Sequence, residues 1–85
     1  MKDKLKTYIK DKINEMQFKR LNEREMGELS AYDTIYTRID KKEMSEIEAD
    51  IKIAIDKLKN RPEDYSKGRY TGFIKTKNYI EVIKE

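Results

Sequence analysis

The stretch Asp40–Leu58, DKKEMSEIEADIKIAIDKL, decides how the rest of the chain reads. Its apolar side chains fall at Met44, Ile47, Ile51, Ala54, Ile55 and Leu58, always three or four apart or adjacent. That spacing lays one stripe along a helix of about 3.6 residues per turn. Asp40 followed by Glu43 matches a capping box, and Ile39 with Met44 has the spacing of a hydrophobic staple. The helix is therefore expected to begin just after Asp40. It should end near Asn60, because Pro62 disfavours helical geometry at Arg61.

Eighteen residues upstream the same pattern recurs. Leu21, Asn22, Glu25 and Met26 occupy the positions of Ile39, Asp40, Glu43 and Met44. Two successive helix starts explain this. One unbroken helix, weakened at Gly27, is the alternative, since 18 residues make about five turns. From Leu29 the stripe continues through Tyr32, Ile35, Tyr36 and Ile39, giving a second helix over roughly 23–38. Ahead of it, residues 2–20 carry Leu5, Tyr8, Ile9, Ile13 and Met16 at helical spacing among lysines, with Phe18 off the stripe.

Residues 60–65 form the expected linker within a single domain spanning 1–85. Beyond it, Tyr70, Phe73, Ile74, Tyr79, Ile80, Val82 and Ile83 are aromatic or mostly β-branched. A helix from about Ser66 to Lys84 is expected, with Gly68 and Gly72 four apart so that another helix can approach closely. The alternative is a hairpin pairing 69–75 with 79–84. Its alternation is imperfect, and Thr76-Lys77-Asn78 lacks the Asn-Gly or Asp-Gly of a tight turn. The expected fold is all-α, a small bundle of three or four helices. An α+β fold with a C-terminal β-hairpin stands as the alternative.

Composition narrows function more by exclusion than by signature. Charged residues make up 44% of the 85, against roughly a quarter in ordinary domains, so the core must be thin. There is no cysteine and no histidine, which rules out disulfides, thiolate metal sites and the commonest general base. Glu46 and Asp50 sit one helical turn apart without a Glu-x-x-His partner, and fit a solvated acidic face. No calcium loop, phosphate-binding glycine loop or nucleophile elbow is present. No catalysis, no cofactor and no metal are expected. Without a long apolar run or a signal-peptide core, a soluble, cytoplasmic protein with no membrane partner is the expectation. The abundance of Lys and Ile with a single Pro resembles coding in AT-rich genomes, which suits a phage or mobile element.

Charge and misplaced apolar residues supply the functional candidates. Residues 1–20 carry a net charge of +4, 21–64 of −4 and 65–85 of +3. In the last segment Lys67, Arg69, Tyr70, Lys75, Lys77 and Tyr79 interleave cations with aromatics, the mixture that stacks bases and neutralises phosphates. Ile53 lies about 150° from the stripe of its helix, with Ala49 one turn behind it. Phe18 is similarly displaced on the first helix. Phe18, Ala49 and Ile53 are thus the candidate contacts for another protein or a second copy of the chain. The function expected is a non-catalytic protein-binding module, an accessory protein that modulates or inhibits a host protein. A small nucleic-acid-binding regulator using the basic ends is the alternative.

Overall fold

The computed structural model covers residues 1–85. Four helices make it up: α1 (Lys2–Gln17), α2 (Glu23–Ile39), α3 (Met44–Leu58) and α4 (Asp64–Lys84). Helix accounts for 81% of the residues and no strand forms, so the all-α bundle holds and the C-terminal hairpin does not exist. The two-start interpretation of the repeat also holds, because residues 18–22 separate α1 from α2.

Asn22 is extended at φ −81°, ψ 176°. Its side chain accepts from the Glu25 N–H at 2.8 Å, while Glu25 accepts from the Asn22 N–H at 3.1 Å. Both halves of the first box are made. The second box is displaced by three residues. Asp40 does not cap α3; it closes α2 in helical geometry, φ −82°, ψ −13°, and binds Lys6 across the bundle at 2.8 Å. The cap of α3 is Glu43, at φ −72°, ψ 156°, whose N–H donates to the Glu46 carboxylate at 3.2 Å. The cause lies in α2. Its stripe runs on to Ile39, which is 1% exposed, so the helix must persist to that residue. A residue finishing one helix in the αR region cannot at once take the extended geometry of an N-cap. Asp40–Lys42 becomes the turn instead, and the staple between Ile39 and Met44 has no cap to flank.

Other boundaries shift by a few residues. The first helix stops at Gln17, short of residue 20, and α4 starts at Asp64, before Ser66. The linker contracts accordingly to residues 59–63.

The bundle is organised around α2 and α4, its most intimately packed pair. Gly27 sits against the backbone of Tyr65 and Arg69, and Gly68 against the backbone of Arg24 and Glu28. A Cβ at either glycine would overlap a carbonyl oxygen of the facing helix. Gly72 continues the seam, where an added Cβ would stand 2.7 Å from that of Ala31. Gly27 is therefore an approach site and not simply a weak point in a helix. Around this seam α1 packs chiefly on α2, and α3 chiefly on α4. The core joins Leu5, Ile9 and Met16 of α1 to Tyr32, Ile35 and Ile39 of α2, Ile47 and Ile51 of α3, and Phe73 and Ile80 of α4.

Candidate functional site

Because α3 leans on α4 and makes little contact with α2, the bundle is open along one side. The opening is a cleft of about 360 Å³. Ile35 of α2, Ile47 and Ile51 of α3, and Phe73 of α4 contribute its apolar floor. The off-stripe Ile53 stands beside it, 53% exposed, which is where its displacement around α3 must put it. Ala49, one turn back, is exposed but does not line the cleft. Phe18 is 89% exposed at the end of α1 and also lies outside the cleft. The three candidate protein contacts are all on the surface, and only Ile53 borders a concavity.

The rim is cationic. Arg38 in the last turn of α2, Lys57 in the last turn of α3, Arg61 in the linker and Arg69 of α4 all line the cleft. Arg38 and Lys57 also complement the negative ends of their helices. Asp50 is the one carboxylate among the lining residues. Lys42 binds it at 2.7 Å with Arg38 at 3.6 Å, and the hydrogen bond from Lys42 is the main reason its carboxyl is held below the usual range. Arg61 pairs with Glu63 at 3.7 Å. Lys57 and Arg69 have no salt-bridge partner. Arg69 instead donates to the Ser30 hydroxyl at 2.6 Å and lies over the Phe73 ring, 5.4 Å from its centroid. That cradle holds the guanidinium in place and leaves most of its fork unused.

The six candidate nucleic-acid contacts do not form a surface together. At about 100° per residue, Lys67, Arg69, Tyr70, Lys75, Lys77 and Tyr79 spread around the whole circumference of α4. Lys75 binds Glu28 at 3.0 Å and Lys77 binds Glu81 at 3.5 Å. Tyr79 stacks on Tyr8, with centroids 4.1 Å apart and planes 11° apart, and its hydroxyl is 3.4 Å from the Lys4 carbonyl. Of the six, Arg69 alone reaches the cleft.

Sequence reasoning missed Arg38, Lys57 and Arg61. They lie on three different elements and share no period, so no one-dimensional signal groups them. No three carboxylates converge closely enough to hold a metal ion, and no helix is long and apolar enough to cross a membrane. Comparison with protein families, curated proteins and solved structures yields no match.

Proposed function

We propose that the chain is a non-catalytic protein-binding module and that its docking surface is the cleft bordered by α2, α3 and α4. One observation carries this. In a domain with so little apolar material, the largest opening is floored by Ile35, Ile47, Ile51 and Phe73, with exposed Ile53 at its edge. Concave apolar ground with a polar rim is the anatomy of a contact centre. The composition suits an accessory protein of a phage or mobile element that modulates or inhibits a host protein. Nucleic-acid binding is the weaker alternative, because its six candidate residues face different ways and four of them, Arg69, Lys75, Lys77 and Tyr79, already have partners in the chain.

Ile53→Asp tests the assignment. Ile53 is half exposed, so burying the remainder against a partner would contribute roughly 0.8–1.6 kcal/mol, about four- to fifteenfold in affinity. The variant should keep its thermal stability and lose a cross-linked partner that the original chain captures from nuclease-treated host lysate. Undiminished capture would move the docking site elsewhere, to Phe18 first.

A further inference from the structure

Resting on that docking assignment, the cleft also specifies what enters it. We infer that its occupant is an acidic segment of a partner protein, carrying one or two large apolar side chains. The argument is charge complementarity on apolar ground. Four cations ring the cleft against one carboxylate, and Lys42 and Arg38 already bind that carboxylate. Lys57 and Arg69 have no anionic partner within the molecule, and the one for Arg61 is the exposed Glu63. Two of the rim cations, Arg61 and Arg69, present planar forks to which a carboxylate binds in bidentate fashion.

The cleft is at the lower end of the volumes of ligand pockets, about 300–1,000 Å³, too small for a helix and large enough for a few side chains. A segment lying across the rim would lower its apolar anchors against Ile53, Ala54 and Leu58, the lining apolar residues that keep exposed surface above the buried floor. Its carboxylates would meet Lys57, Arg61 and Arg69. Nucleic acid fits less well. The one aromatic lining residue, Phe73, is 3% exposed and covered by Arg69, which leaves no ring face on which a base could stack.

The probe is a short fluorescent peptide with two adjacent Leu between runs of Glu, followed by anisotropy with the full chain. Two control peptides keep its length, one with the leucines dispersed and one with Lys in place of Glu. The acidic patterned peptide should bind, and both controls should bind at least about tenfold more weakly. Lys57→Glu with Arg61→Glu changes two exposed residues, one of them at the negative end of α3, and should lower the melting temperature by only a few degrees. It should lower affinity about tenfold or more, with most of the effect disappearing at 1 M salt, where charges are screened within about 3 Å.

Equal binding of the dispersed peptide, or no binding of the acidic one, would overturn the inference. So would tighter binding of an oligonucleotide or of phosphatidylglycerol vesicles, or self-association of the chain that Ile53→Asp abolishes. If Ile53→Asp removes a captured lysate protein while Lys57→Glu with Arg61→Glu does not, the docking site stands and the acidic occupant falls.

Discussion

The two sides of α2 are built on opposite terms. Toward α4 it presents Gly27 and Ala31, and the helices meet backbone to backbone with no room for another carbon. Toward α3 it presents Ile35, Thr34 and Arg38, and the neighbouring helix stays back. Small residues thus produce the closed seam, while bulky and charged ones leave the open edge. The difference separates stability from recognition: substitutions along the seam should damage the fold, and substitutions along the edge should not.

The harshest break in that contrast is Gly68→Ala. The new methyl overlaps the Arg24 carbonyl, so the helices must separate. Overlap with a backbone atom belongs at the upper end of overpacking costs, about 3 kcal/mol, and the gain in helix propensity of about 1 kcal/mol offsets only part of it. We expect a net loss of about 2 kcal/mol, a fall of roughly 8–16 °C in melting temperature by calorimetry. A stabilised variant would show that the seam yields and that the contrast is unfounded.

A polar clamp lies over the same seam. Tyr32, fully buried, donates to Glu28 at 2.6 Å, and Lys75 of α4 binds the same carboxylate oxygen at 3.0 Å. Tyr32→Phe should cost about 1.5 kcal/mol, the lower end for a hydrogen bond to a charged group, since Glu28 keeps Lys75. Burial, reinforced by Glu28, raises the Tyr32 phenol well above its ordinary value of 10.0. A raised folded value means that the stability from this proton is complete below about pH 10 and is lost as pH climbs beyond it. Tyr8, raised by burial, and Lys6, raised by its bond to Asp40, titrate in the same direction. Denaturant midpoints from pH 8 to 12 should therefore fall less steeply for Tyr32→Phe than for the unaltered chain. Identical slopes would remove Tyr32 from the clamp.

Helix ends sharpen the comparison on a smaller scale. Asn22→Ala deletes a working cap and should cost about 1 kcal/mol. Asp40→Ala deletes only an exposed ion pair and should move the denaturation midpoint much less. A larger effect from Asp40 would mean that α3 begins where its sequence first suggests. Smallest of all, Ile53→Asp on the open edge should alter stability by no more than about 0.5 kcal/mol. A collapse would place Ile53 in the core and close the cleft.

Helical periodicity and the Asn22 box were legible in the chain because both rest on neighbours within one turn. So was the glycine pair of α4, whose spacing alone announces a close approach. The solvent-facing Ile53 could be read from its angle around α3. The identity of the helix that meets those glycines could not, nor the partner role of Gly27, because a contact between backbones distant in sequence leaves no periodic trace. Two near-identical cap motifs had different fates for the same reason. A five-residue gap lets Asn22 extend, whereas the burial of Ile39 holds Asp40 in the preceding helix. The cationic rim was beyond sequence altogether: Arg38, Lys57, Arg61 and Arg69 share no local pattern, and only the packing of three elements brings them around one cleft. Local interactions are written in order along the chain, and long-range ones exist only after the chain has folded.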